Sequence, residues 1–337
     1  MKYNFRNSLF INFGGIGDEI LFLPTLSSFK KSYPESKITL ALEPRSKCIK
    51  DLSEIIDETI TVDIKASGIK KYFNILKFII EIRKKKFDCV ISSGKSPFIA
   101  IILFLTGIKF RAGYNSKTDF LLTQKVTLNE NQYAGKMYHD LIAPVTQIKY
   151  ENPKINIDNS IILDDALKNK NYIAIHPGVS KMSIQKNILK CPNVTFWNNL
   201  ITDLLNKNKN IVLLGTKDDK DLIEELLLND EIKNNSGFIN FYNKTKNIME
   251  MALIMKNAES VICVDSAPLH VAVGVGARIF AIFGPTNEQK LVPDDADIEI
   301  ITNNIDCRPC LWHKRMFNCE KSECLDINYK IISDKIN

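Results

Sequence analysis

A chain of 337 residues, 45% hydrophobic and 25% charged, is about two domains' worth of ordinary globular protein and can bury sizeable cores. Its net charge of +6 is mild and sits partly in runs such as "RKKKF" (83–87), the pattern of a solvated helix end, so composition argues against nucleic-acid binding but leaves room for an anionic substrate or membrane surface. The longest apolar stretch, "FIAIILFLTGI" (98–108), is far short of the ~20 residues of a spanning helix, and "MKYNFRNSLFINFGG" has too short an apolar run for a signal peptide, so a cytoplasmic protein with its eight cysteines mostly reduced is expected, peripheral attachment to the inner membrane being left open.

In chain order, "SLFINFG" reads as a strand, the segment after Gly17 as a helix, and "KITLALE" (37–43) as a second strand. "IKKYFNILKFIIEIRKKK" (69–86) has helical apolar spacing, and "FDCVISS" (87–93) is a buried-strand pattern. A helical stretch runs from Gln132 to about Ala143, followed by the polar, proline-containing linker "TQIKYENPKINIDNS" (146–160). The alternation then restarts. Strands are expected at "YIAIHPG" (172–178), "KNIVLLG" (209–215), "SVICVDS" (260–266) and "RIFAIFG" (278–284), separated by helices at "VTFWNNLITDLLNKN", "DKDLIEELLL" and "PLHVAVGVG". Alternation of this kind predicts parallel sheets covered by helices on both faces, as two domains, 1–155 and 156–337, with a cleft between them. Ligands in such sheets bind outside the carboxyl ends of the strands.

The loop "NFGGIGDEILFLP" (12–24) resembles a phosphate-binding turn, but the dinucleotide pattern would place glycines at 15, 17 and 20, and position 20 is Ile. Glu43, ending the second strand, keeps an NAD reading in play. Against it, Asp18 would occupy the anion position at the helix N-terminus. Asp18 is therefore a helix cap or a general base, with Gly15 and Gly17 letting a substrate hydroxyl approach. In the second half, "VICVDSAPLHVAVGVGARIFAIFGPT" (261–286) makes the better diphosphate site. There Asp265 ends a strand, Pro268 fits a first-turn position, and the N–H groups of Ser266 and Ala267 lie at the helix mouth. His270, one turn in, is either a phosphate hydrogen-bond donor or a packed histidine. Gly284 and Thr286 close the next strand at the same sheet edge.

Taken in order, "GGIGDEILFLPTLSSFKKSYP", "RAGY" (111–114), "IAIHPGVS" (173–180), "DSAPLH" (265–270) and "FGPT" (283–286) resemble the ADP-heptose:lipopolysaccharide heptosyltransferases, glycosyltransferase family 9, along nearly the whole chain. The resemblance implies the GT-B fold, two Rossmann-like doubly wound domains. It also implies an inverting transfer, requiring no cofactor, from an ADP-sugar held by the C-terminal domain to an acceptor at the N-terminal domain. Asp18 matches the family's proposed general base. Asp265, Ser266, Ala267 and His270 match its donor-binding Asp-Ser-Gly-Pro-Met-His stretch, with Ala267 replacing a glycine. Its phosphate-side lysine falls best on Lys190 in "KNILKCPN" (186–193), with Lys186 second, though the usual tryptophan is missing. Ser180 and Lys181 are placed near donor phosphate or sugar, and Thr216 and Asp219 near the nucleoside.

Cys307, Cys310, Cys319 and Cys324 are spaced C-x₂-C-x₈-C-x₄-C, a structural zinc or iron site, a set of reduced thiols, or a disulfide pair, with His313 a possible substitute ligand. The autotransporter-modifying branch of the family carries an iron-binding finger in this region. Cys89 and Cys263 fall in strand patterns and read as core. The final "NYKIISDKIN" reads as a short helix packed back on the first domain. Arg45, Lys47, Lys65 and Arg111 are acceptor-side candidates for phosphorylated lipid sugars, or plain surface and structural charges. The implied acceptor is the lipopolysaccharide core or another surface glycan, a serine of a surface protein being the alternative. A nucleotide-sugar epimerase of GT-B fold and a silent sugar-nucleotide-binding subunit are the rival readings.

Overall fold

A computed structural model describes residues 3–311, 319 and 322–336. The chain divides into two units, the first ending at Lys154 and the second starting at Ile155.

The first unit holds one parallel sheet of β1 (Asn7–Ile11), β2 (Lys37–Leu42), β3 (Glu58–Thr61), β4 (Cys89–Ser92), β5 (Phe110–Tyr114) and β6 (Gln124–Val126), ordered β3-β2-β1-β4-β5-β6. Its helices are α1 (Ile16–Ser32), α2 (Ile69–Lys85), α3 (Pro97–Leu105) and α4 (Ala134–Asp140). The second repeats the scheme with β7 (Tyr172–His176), β8 (Asn210–Leu213), β9 (Phe238–Asn240), β10 (Ser260–Val264), β11 (Ile279–Phe283) and β12 (Ile298–Thr302), ordered β12-β11-β10-β7-β8-β9. Its helices are α5 (Lys181–Gln185), α6 (Val194–Asn206), α7 (Lys220–Leu226), α8 (Asp230–Lys233), α9 (Ile248–Lys256), α10 (Ala267–Val275) and α11 (Lys330–Ser333). Every pairing in both sheets is parallel.

The central strands are continuous apolar runs because both their faces are covered. β1, β4, β7, β10 and β11 are almost wholly buried. Cys89 and Cys263 are fully buried strand residues, and burial lifts both thiols' pKa. One core layer packs Leu9, Ile11 and Val90 of the first sheet against Ile75, Phe78, Ile79 and Ile82 of α2 and Leu103 of α3. The second unit's core is built around Trp197, Leu200 and Leu204 of α6 with Ile173, Ile211, Ile262 and Ile282 of the strands.

Several boundaries differ from the sequence reading. α1 starts at Ile16 rather than after Gly17, so Gly17 lies inside its first turn. α4 is shorter than the expected 132–143 span because turns take over after Asp140. The terminal helix α11 packs on α6 of its own unit. Ile332 and Ile336 join that unit's core, and Lys330 Nζ reaches Asp203 Oδ1 at 2.5 Å. No described helix is long and apolar enough to cross a membrane.

Trp197 is fully buried at the centre of the second core. Trp197→Ala is expected to cost about 3–5 kcal/mol, read as a shift of the urea unfolding midpoint followed by circular dichroism.

Candidate functional site

In a sheet of this strand order the chain turns in opposite directions from the two central strands, and a crevice opens at their carboxyl ends. In the first unit those strands are β1 and β4, and the glycine loop leaves β1 at that point. Asp18 is the third residue of α1, and its Oδ2 accepts the Gly15 N–H at 2.8 Å, closing the helix N-terminus from within. The close fit explains Gly14, since a Cβ there would stand 2.3 Å from Asp18 Cβ. Asp18 Oδ1 accepts the Tyr138 hydroxyl of α4 at 3.2 Å. Burial, and next the Asp18 charge, push the Tyr138 pKa well above the phenol range, so the hydroxyl keeps its proton and remains a donor. Asn12 donates to the Asp18 carbonyl at 3.2 Å and accepts Ser93 Oγ, tying the β1 loop to the β4 loop.

Beside Asp18 lies Glu19, with no exposed surface. Its carboxyl oxygens meet no donor at hydrogen-bond geometry, only a looser approach by the Gly14 backbone and Asn12. Burial, with the Asp18 charge adding to it, holds its pKa well above the usual carboxyl range. Glu43, also buried, is paired with Arg45 at 2.7 Å and Lys65 at 2.8 Å. The Arg45 guanidinium lies 3.6 Å from where a Gly15 Cβ would be. Arg111 is spent elsewhere in the unit. Its guanidinium donates to the carbonyls of Leu121, Ile108 and Lys109 and sits 5.6 Å above the Phe104 ring.

In the second unit the equivalent crevice lies between β7 and β10. Asp265, the residue just after β10, is buried, and Lys190 Nζ meets its Oδ2 at 2.7 Å. The Thr286 hydroxyl donates to the same oxygen. The pair thus joins the loop after α5, the end of β10 and the loop after β11. Ser266 is the N-cap residue of α10, yet its hydroxyl donates to the Gly178 carbonyl at 3.3 Å instead of capping the helix. Ala267 opens α10, no acid occupies its first turn, and His270 lies buried one turn in. That helix end faces its loop with N–H groups and no carboxylate of its own, the reverse of α1.

Thr216 and Asp219 cap each other. Asp219 Oδ2 accepts the Thr216 N–H at 2.8 Å and its hydroxyl at 3.1 Å, and lies 3.9 Å from His176 Nε2. Burial lowers the His176 pKa despite this carboxylate. Gly178 is needed beneath it, because a Cβ would stand 1.9 Å from Asp219 Oδ1. Ser180 caps the short helix α5 from an exposed position. Gly284 lets the chain close over Leu325, whose Cδ2 would be 2.9 Å from a Cβ.

The structure adds two residues that the sequence did not single out. Tyr138 comes to Asp18 from 120 residues away. Arg308, between two of the clustered cysteines, donates to the Gly284 carbonyl at 2.6 Å and the Thr286 carbonyl at 3.4 Å, and pairs with Glu288 at 3.0 Å. Cys310 N–H also bonds the Pro285 carbonyl at 3.0 Å. Neither residue lies in a spacing that marks it.

Cys307, Cys310 and Cys319 all lie close enough to Cys324 to act on it electrostatically; burial first, and then these thiols, raise its pKa to about 11. All four are free. Among the described residues no three His, Cys, Asp or Glu side chains are grouped to hold an ion as they stand. His313 lies outside the described residues.

Two doubly wound parallel sheets of the same strand order define the α/β GT-B fold. The profile of glycosyltransferase family 9 (heptosyltransferase) matches residues 75–320, and the chain belongs to that family. It is 23% identical to lipopolysaccharide heptosyltransferase 3 of Escherichia coli over 295 residues, 80% of this chain and 81% of that one. A family 9 glycosyl transferase from Veillonella parvula DSM 2008 has the same fold at a TM-score of 0.74 and 19% identity, covering 89% of this chain and 87% of that one. The dodecameric iron-containing heptosyltransferase TibC of enterotoxigenic E. coli, solved with ADP-D-β-D-heptose, matches at a TM-score of 0.63 and 13% identity, covering 100% of this chain and 77% of that one.

Glu19 supplies a pH test. A carboxyl whose pKa rises on folding keeps its proton in the native state and loses it in the unfolded chain above about pH 4.5, so its burial costs more as pH rises. Glu19→Gln is expected to raise the thermal midpoint at about pH 8, and the gain should vanish toward about pH 4. Paired melting curves across that range check it.

Proposed function

We propose that this enzyme transfers a heptose from an ADP-heptose donor to the lipopolysaccharide core, the second unit binding the donor and Asp18 acting as general base. One observation carries the reading: the N-terminus of α1 is filled by its own Asp18, while that of α10 presents Ser266 and Ala267 with no acid in its first turn. An anionic diphosphate is therefore repelled at the first loop and accommodated at the second. The Asp265–Lys190–Thr286 brace holds the second set of loops in place beside it. The ADP-heptose bound to TibC and the lipopolysaccharide named for the E. coli relative support the choice of donor and acceptor.

In the proposed step the acceptor hydroxyl gives its proton to Asp18 as its oxygen attacks the anomeric carbon. The bond from that carbon to the diphosphate oxygen breaks, ADP leaves with the electron pair, and the configuration inverts. Gly15 and Tyr138 each take one lone pair of the Asp18 carboxylate, which orients it and leaves lone pairs for the proton. A positioned base typically contributes 10²–10⁴-fold. Asp18→Asn is therefore expected to lower kcat by about two to four orders of magnitude while donor affinity, measured by calorimetry, holds. Loss of donor binding in that variant would move the nucleotide to the first unit and overturn the assignment.

The four C-terminal cysteines are, in this reading, the ligands of a structural zinc or iron ion. They supply the soft donor set such an ion requires, and a bound cation would stabilise the thiolates against the burial, and then the neighbouring thiols, that raise the Cys324 pKa. Its contribution would be to fix the segment that Arg308 anchors, with no part in the transfer itself. Purified protein should carry about one ion per chain, and Cys307→Ser with Cys310→Ser should release it and lower the thermal midpoint. Metal-free protein with four thiols titratable by Ellman's reagent would refute the site.

A further inference from the structure

The helix α2 has two apolar stripes, and only one of them is buried. Ile75, Phe78, Ile79 and Ile82 face the core. Ile69, Tyr72, Phe73, Leu76 and Ile80 face outward, with exposure running from 47% at Ile80 to 87% at Ile69. At about 100° per residue these five fall within one outward arc of the helix. Arg83 Nε donates to the Leu105 carbonyl at 2.9 Å, which brings the C-terminal end of α3 alongside, and Phe104 and Leu105 there are exposed as well. Exposed apolar area of this extent marks a surface that something covers.

Charge identifies the occupant. The exposed lysines Lys70, Lys77 and Lys84 recur every seven residues and line one flank of the stripe, and Arg83 lies within the stripe's own arc at its C-terminal end. Over Ile69–Lys85 there are six basic residues and one acid, Glu81. A second copy docked on this face would bring two strongly basic helices together, and in the antiparallel arrangement would set the lysine row against its own image, like charge against like. A negatively charged lipid surface satisfies both parts, taking the apolar residues into the acyl boundary and the ammonium groups among the phosphates. With its other stripe committed to the core, α2 must lie in the plane of the surface.

We propose that the α2–α3 face docks this protein on an anionic lipid bilayer. The inference stands apart from the sugar-transfer reading. Co-sedimentation of the full chain with vesicles tests it. Binding is expected to roughly 70:30 phosphatidylethanolamine–phosphatidylglycerol vesicles, at least about tenfold weaker to phosphatidylcholine alone, and weakened by about 0.5 M NaCl. Phe73→Ser with Leu76→Ser should reduce binding about tenfold or more with an unchanged thermal midpoint, since both side chains are exposed. Lys70→Glu with Lys77→Glu and Lys84→Glu should remove the preference for anionic lipid. A wild-type chain that stays in the supernatant, or binding indifferent to both sets of substitutions, overturns the proposal. So does a dimer in sedimentation equilibrium that Phe73→Ser with Leu76→Ser converts to monomer, which would give the face to a second copy.

Discussion

A helix N-terminus attracts negative charge, and in this protein only one of the two units supplies that charge from its own helix. Asp18 fills the end of α1 from within, two bonds closing around its carboxylate. The end of α10 has no such residue, and its N-cap serine is turned toward Gly178. Since the two sheets share one strand order, their backbones alone would offer two equivalent anion sites. The position of a single carboxylate breaks that equivalence.

The second unit's loops are held by partners that are buried or nearly so. Asp265 is shielded from water, so its charge is tolerable only because Lys190 and Thr286 meet it. Arg308 holds the backbone of the same loop through the Gly284 and Thr286 carbonyls. Three separate stretches of chain thus converge on one strand end. Asp219 does comparable work beneath the β7 loop, where its contact with Gly178 leaves no space for a side chain.

The central strands were legible because burial on both faces turns them into unbroken apolar runs, as in "SLFIN" and "SVICV". The edge strands were not, since "ETIT", "QKV" and "FIN" are short and partly exposed and carry no period long enough to read. Glycines and Asp18 stood out because a tight turn followed by a first-turn acid has local chemistry. Tyr138 and Arg308 have none, as their roles come from chain crossings that only the assembled sheets create. The exposed stripe of α2 was hidden for a different reason: helical spacing reports apolar residues without saying which stripe meets the core.

The strand order also governs when each crevice comes into being. β1 must wait for β4, with Asn7 and Asp88 separated by 81 residues, and β7 must wait for β10, with Ser266 and Gly178 separated by 88. Pairings this remote close late, after the local helices and hairpin-distance contacts have formed. A nascent chain emerging from the ribosome therefore carries more than half of a unit before its switch point exists, and a truncation that removes one central strand leaves the chemistry unassembled.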